Sequence, residues 1–213
     1  MRWLLILLLF TVNTSALTQK NLVFASINHP TVIDYYEPLL RNIYAELGIN
    51  LDFVYISGER SEVSLQSGLI DGALAYSEAN LSSVENMIVV EPPLITVKQY
   101  LLCQQGLDCT PSVLEDPENT IFMASVVKKS QNLDIKASIE TMTSITVLEK
   151  LFTHNRIKYM IYPFSSERND VNLVFAKAER FFLYEEKGFH VLNIKHKELA
   201  EKVQKQIIKK LKD

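Results

Sequence analysis

Polar and aromatic side chains gather where predicted strands give way to predicted helices. The candidate ligand-binding residues at these junctions are Asn28, His29, Ser57, Arg60, Tyr76, Ser77, Ser125, Thr143, Ser144 and Tyr162. A ligand at such a junction meets strand ends and helix N-termini, whose unpaired backbone N–H groups and dipole favour anions. These residues therefore predict a site for the reversible binding of a small molecule.

Several of these residues also have a purely structural interpretation. Arg60 is the best candidate for an anion contact, but an ion pair with a neighbouring glutamate would give it another role. Tyr76 and Tyr162 occupy related positions and would either hold an aromatic or apolar ligand between them or cover edges of the core. The serines and threonines would serve as helix N-caps, and His29 as a turn residue beside Pro30.

No motif for catalysis accompanies these residues. The sequence contains no serine nucleophile elbow, no HExxH zinc motif and no glycine loop for phosphate, and it has only six glycines. The histidines lie too far apart in sequence to suggest a metal site. We therefore expect neither an enzyme nor a bound cofactor or metal, and Glu78 is the one obvious acid that an enzyme would use here.

The composition narrows the class of partner. The chain has 22 basic and 25 acidic residues, a net charge of −3 at pH 7, and no basic face outside its C-terminal helix, so nucleic acid is not an expected partner. Hydrophobic residues make up 47% of the chain, which favours a folded protein over a disordered one. We expect a monomer.

Residues 1–16 have the pattern of a cleavable secretory signal peptide. Arg2 precedes an apolar run at 4–10, and small residues lead up to Ala16. The run is far shorter than the roughly 20 residues that a spanning helix needs. No cysteine follows Ala16 to carry a lipid anchor, so the sequence predicts a freely diffusing periplasmic protein.

The two cysteines are separated by a short spacer that contains a glycine. Five residues lie between Cys103 and Cys109, and the predicted compartment is oxidising. A local disulfide across a hairpin tip is the natural interpretation, and two unpaired buried thiols are the alternative.

Short β-branched or aromatic runs alternate with amphipathic stretches, which indicates an α/β protein. The predicted strands are 21–27, 51–56, 70–76, 87–90, 95–103, 120–124, 135–139, 157–162, 181–184 and 189–194. The predicted helices begin near Pro38, Ser57, Thr143 and Lys197, and Gly48 ends the first of them. Glu91, Pro92 and Pro93 interrupt the pattern, after which the order of elements resembles a repeat of the first half.

Two segments, 65–74 and 151–161, each combine a helix end, a turn and a strand. The first reads LQSGLIDGAL and the second LFTHNRIKYMI. Both resemble the repeated element of the bacterial extracellular solute-binding proteins of family three, the amino-acid-binding type. Residues 188–199 also resemble that family's closing strand and helix, and residues 58–61 a turn of its divergent periplasmic members.

The resemblance implies a type II periplasmic-binding-protein fold of two α/β lobes, each a mixed sheet flanked by helices. Lobe 1 would comprise 17–93 and 189–213, and lobe 2 would comprise 94–188, with hinges at 91–97 and 185–188. The implied function is capture of a small polar or amino-acid-like molecule in the cleft between the lobes, for transport or sensing. A membrane transporter of the ABC type or a sensor protein would be the partner.

The sequence departs from the family at the amino-acid clamp. A ligand-binding arginine is expected after the third strand, where this chain has 77–83, or at its end, where it has Tyr76. The aspartate expected to hold a ligand ammonium falls at Pro163. An alternative function follows, in which the same fold serves as a protein-interaction module of the cell envelope that takes no small ligand.

Overall fold

The computed structural model describes residues 20–56, 58–83, 85–124, 135–165 and 174–212. The predicted signal peptide and the candidates Ser57 and Ser125 lie outside these residues. None of the helices described is long and apolar enough to cross a membrane.

Strands in the described residues form one sheet with helices packed against it. The strands are β1 (Lys20–Ser26), β2 (Ile49–Tyr55), β3 (Gly72–Ser77), β4 (Met87–Cys103), β5 (Thr120–Ala124), β6 (Ser138–Met142), β7 (Tyr159–Ser165) and β8 (Glu179–Asn193). The helices are α1 (Glu37–Ala45), α2 (Gly58–Gln66), α3 (Ser112–Glu115), α4 (Ile145–Thr153) and α5 (Lys197–Lys210). A π-helical turn, Val32–Tyr36, leads into α1, and 3₁₀ turns occupy Glu78–Ser83 and Ile194–His196.

The strand order is β2-β1-β3-β8-β4-β7-β5-β6, which is two similar halves placed side by side. Strands β1, β2 and β3 are parallel and joined by α1 and α2, and β5, β6 and β7 are parallel as well. Between these groups, β8 and β4 run antiparallel to each other and to their other neighbours. The predicted mixed α/β architecture is confirmed, and one continuous sheet serves both halves.

Three strand predictions need correction. The prolines at 92 and 93 do not end a strand, because β4 continues through them and is irregular only between Val90 and Ile95. Such an irregularity accommodates residues that lack a backbone donor. The segments 181–184 and 189–194 are likewise one strand, β8, and the strand predicted at 135–139 lies at Ser138–Met142.

The two halves have separate hydrophobic cores. One contains Phe24, Leu40 and Val203 among side chains from β1, α1 and α5, and the other contains Ile121 and Leu148 among side chains from β5 and α4. The predicted lobe boundaries, after 93 and after 188, fall inside β4 and β8. The division into lobes at these residues stays a prediction.

The two segments that carry the family resemblance have the same turn. Gly68 (φ 74°) and Asn155 (φ 56°) both adopt left-handed backbone after a helix, a conformation that glycine and asparagine tolerate best. Gly72 is needed for another reason, since a Cβ there would lie 2.3 Å from the carbonyl oxygen of Val191. The repeated element is therefore a folding signal in this chain.

Asp71 ties the first half to the C-terminal segment. Its carboxylate accepts hydrogen bonds from the Val23 N–H (2.8 Å) and from His196 Nε2 (2.6 Å), and it pairs with Lys195 Nζ (3.0 Å). Burial alone would raise the pKa of Asp71, but these bonds outweigh it and lower the pKa. The aspartate of the repeated element is thus committed to structure.

The disulfide predicted from the sequence joins Cys103 to Cys109, with their Cα atoms 5.7 Å apart. It links the end of β4, where Cys103 is fully buried, to the loop that leads into α3. The bridge therefore fixes this loop against the core of the second half.

A fully buried histidine lies where β8 crosses the first core. His190 Nδ1 is 2.8 Å from the carbonyl oxygen of Ala73, which can only accept, so Nδ1 carries the proton. Its Nε2 then accepts a hydrogen bond from the Tyr44 hydroxyl at 2.8 Å. Burial disfavours the imidazolium and lowers the pKa of His190 to about 4.

We expect acid to destabilise the protein through His190. Between pH 6.5 and about pH 4, the unfolded chain binds a proton at this position and the folded chain does not. The free energy of unfolding therefore falls as the pH falls, by roughly 3 kcal/mol across that interval. Urea unfolding across it should show this slope in the parent and in His154→Gln, which changes an exposed histidine. An equally steep slope in His190→Gln would contradict the assignment.

Candidate functional site

The candidate residues lie at the same ends of the parallel strands. Because β1, β2 and β3 run parallel, their carboxyl ends share one edge, where Asn28 and His29 follow β1 and Arg60 lies in α2 after β2. Tyr76 and Ser77 end β3. In the second half, Thr143 and Ser144 follow β6 and Tyr162 lies within β7. Tyr162 is therefore three residues before the end of its strand, unlike the strand-to-helix junction predicted for it.

Four candidates have local roles or are open to solvent. Ser144 caps α4, since its Oγ accepts a hydrogen bond from the Val147 N–H at 3.4 Å. His29 organises the turn after β1, where its Nδ1 accepts from the Thr31 N–H at 3.2 Å. Asn28 and Thr143 are exposed. The capping and turn interpretations are therefore correct for Ser144 and His29, and ligand contact by these four stays a prediction.

Arg60 is exposed and borders a surface hollow of about 320 Å³. Ile56, Val63 and Ser64 line the rest of this hollow. The structure gives Arg60 no ion-pair partner among the described residues, and the side chain of the neighbouring Glu59 lies outside them. Its surroundings are mainly apolar.

The two tyrosines belong to the packed interior. Tyr162 is completely buried, its ring centroid lies 5.0 Å from that of Phe175 and 5.4 Å from that of Phe164, and its hydroxyl donates to the Glu149 carboxylate. Tyr76 is 7% exposed. Both rings thus cover the core, as the structural interpretation required. Contact with a ligand stays a prediction.

A polar cluster that the sequence does not reveal joins Ser77 to the long strands. Ser77 Oγ donates to Glu186 Oε1 of β8 at 2.5 Å, and Gln99 Nε2 of β4 lies 3.3 Å from Glu186 Oε2. We call Ser77, Gln99 and Glu186 the crossover cluster. Ser77 was predicted from its place at the end of a strand, and Gln99 has a sequence signal as a polar residue on the strand face that also carries Ile95 and Val97, but nothing in the sequence links either of them to Glu186.

The described residues include no group of three or more histidine, cysteine or acidic side chains placed to hold a metal ion. The crossover cluster contains one carboxylate, one amide and one hydroxyl, all joined by hydrogen bonds. Such groups recognise ligands by hydrogen bonding and charge.

No protein-family model matches the sequence, and no curated protein sequence matches it. Solved structures do match. The arginine-bound form of a truncated ArgBP from T. maritima is 14% identical, with a TM-score of 0.68 over 90% of this chain and 96% of that chain. The chain has the type II periplasmic-binding-protein fold.

Two further structures extend this likeness. The GluR0 ligand-binding core in complex with L-glutamate is 11% identical, with a TM-score of 0.69 over 90% of this chain and 92% of that chain. The ancestral amino acid-binding protein AncCDT-1, a precursor of cyclohexadienyl dehydratase, is 16% identical, with a TM-score of 0.63 over 91% of this chain and 90% of that chain. The fold expected from the repeated element is therefore confirmed along nearly the whole chain.

We expect Tyr162→Phe to lower the free energy of unfolding by about 1 kcal/mol, because it removes the hydroxyl that donates to Glu149. Tyr35→Phe, which alters a tyrosine that is 48% exposed, is the matched control and should change stability little. Urea unfolding measures both. A Tyr162→Phe protein as stable as the parent would contradict the structural role of this hydroxyl.

Proposed function

We propose that this protein is a solute-binding protein that captures a small polar or amino-acid-like molecule between its two halves. The observation that carries the proposal is the likeness of fold, over about nine-tenths of both chains, to an arginine-bound protein and to a glutamate-bound core. The placement of polar candidates at the carboxyl ends of both sets of parallel strands supports it, since ligands of open α/β sheets bind outside these ends.

The proposed role is binding without catalysis. One structural neighbour is a precursor of a dehydratase, so this fold has also been used in the lineage of an enzyme. In this chain two of the polar candidates are engaged in hydrogen bonds, Ser77 with Glu186 and Ser144 with the Val147 N–H. We propose that closure of the two halves retains the ligand and that opening releases it.

The setting that we propose is the periplasm. The predicted signal peptide supports export, and the Cys103–Cys109 disulfide suits an oxidising compartment. There the protein would act as a monomer that delivers its ligand to a membrane transporter or reports it to a sensor protein.

A second candidate function is that of a protein-interaction module. The observation in its favour is the chemistry at the clamp positions, where Tyr76 and Ser77 replace the expected arginine and Pro163 the expected aspartate. Tyr76 is buried, and Ser77 is bonded to Glu186. A chain in this role would gain no stability from any metabolite.

A ligand screen separates the two functions. Native mass spectrometry of protein purified without denaturation should show a bound small molecule. Thermal unfolding with a panel of amino acids, amines and organic acids should show about 3 kcal/mol of added stability at a hundredfold excess over the dissociation constant.

Protein that has been unfolded, dialysed and refolded is the control. It should lose the extra mass and regain it when the same compound is added. Absence of both a mass shift and any stabilisation across the panel would contradict the binding role and favour the interaction module.

A further inference from the structure

The ribbon formed by β4 and β8 has one polar interior face. Val97 lies opposite Glu186, and Gln99 lies opposite Tyr184. Because side chains alternate along a strand, Gln99 and Glu186 face the same side, and Lys98 with Glu185 opposite it faces the other. Gln99 is 2% exposed, whereas Lys98 and Glu185 are both exposed.

Glu186 has no cationic partner among the residues that the structure describes. Its carboxylate accepts hydrogen bonds from Ser77 Oγ at 2.5 Å and from Gln99 Nε2 at 3.3 Å, and both donors are uncharged. A carboxylate has about four acceptor positions, so room remains for further donors.

The side-chain amide oxygen of Gln99 is a further acceptor, and it lacks a donor among the described residues. Its amide nitrogen is directed at Glu186, because a carboxylate accepts and the amide nitrogen donates. The amide oxygen is buried and has no hydrogen-bond partner among the described residues. A buried carbonyl left without a donor is unfavourable, so a donor placed here would stabilise the protein.

Ser165, the last residue of β7, completes the same row. It lies opposite Val97, which in turn lies opposite Glu186. Its Oγ is also buried and has no partner in the described residues. The interior face of the ribbon thus presents a carboxylate, an amide oxygen and a hydroxyl, with no cation among them.

We propose that Glu186, Gln99 and Ser165 form a subsite for a cationic nitrogen group, an ammonium or a guanidinium, of the bound molecule. This inference rests on the proposed solute-binding function. A nitrogen cation supplies several donors at once and compensates the carboxylate, so it satisfies the orphaned acceptors and the charge together. A metal cation fits less well, because Mg²⁺ and Ca²⁺ take about six oxygen ligands or more.

Isothermal titration with four probes tests the subsite: putrescine, agmatine, L-arginine and L-citrulline. Citrulline matches arginine in shape and keeps its α-ammonium, but its side chain ends in a neutral ureido group, so it has one of arginine's two cationic groups. The cationic probes should bind the parent protein, and citrulline should bind more weakly than arginine. Glu186→Gln should lower the affinity for the cationic probes by about 10- to 100-fold, as expected for the loss of a hydrogen bond to a charged group.

Glu185→Gln is the matched control, since it makes the same change one residue away on the exposed face. It should leave every affinity unchanged. Ser165→Ala is the second variant, because the Ser165 hydroxyl has no hydrogen-bond partner among the described residues and its removal breaks no hydrogen bond within them. This variant should also bind the cationic probes with lower affinity. It keeps the test decisive if Glu186→Gln does not fold.

The outcomes separate this inference from the proposed function. Failure of all three cationic probes to bind, or equal affinities in the parent, Glu186→Gln and Ser165→Ala, would overturn the subsite. If the metabolite panel then yielded a neutral or anionic ligand, the solute-binding function would stand without it. Absence of binding by the four probes and by the whole panel would overturn both.

Discussion

The antiparallel pairing of β4 with β8 is the constraint on which the rest of the structure depends. It runs from Met87 opposite Asn193 to Cys103 opposite Glu179. At one end β8 also pairs with β3, and at the other end β4 also pairs with β7. Each long strand therefore contributes to both hydrophobic cores, and neither half has a complete sheet without it.

The same pairing fixes which side chains face inward. A slip of β4 by one residue would bring Lys98 to the interior and expose Gln99, and the same slip of β8 would exchange Glu185 for Glu186. The buried His190 adds to this specification, because its two ring nitrogens bond to Ala73 of β3 and Tyr44 of α1. A slipped strand would leave these partners buried and unpaired, which is costly. The packing of apolar side chains and the hydrogen bonding of buried polar groups thus select one register for β4 and β8.

Local signals predicted most of the elements, since their causes lie within a few residues. Gly48 and Gly68 follow the ends of α1 and α2 with left-handed backbone, and the apolar spacing of α4 and α5 is visible in the sequence. The continuity of β4 was not predictable in this way. Pro92 and Pro93 are local signals for a break, and the partner strand that carries the chain past them lies about ninety residues away.

The candidate site likewise has features that local sequence patterns predict and features that depend on distant residues. Strand-end positions such as Ser77 follow from local patterns, and so does the cap at Ser144. The partners of Ser77 do not, because Glu186 is separated from it by 109 residues and from Gln99 by 87. Tyr162 was predicted at the end of a strand but lies in the middle of β7, and its burial depends on Phe164, Phe175 and Glu149, which only the folded chain brings together.

The absence of the expected clamp arginine has the same electrostatic sense as the crossover cluster. The expected arginine would bring a positive charge to the end of β3, and this chain instead has Tyr76 and Ser77 there. Ser77 then donates to Glu186, and both donors that the described residues offer this carboxylate, Ser77 and Gln99, are uncharged. A neutral ligand placed against the carboxylate would remove water without supplying a compensating charge, which is unfavourable. A cationic group supplies donors and the opposite charge together, so the absence of the arginine and the crossover cluster favour the same class of ligand.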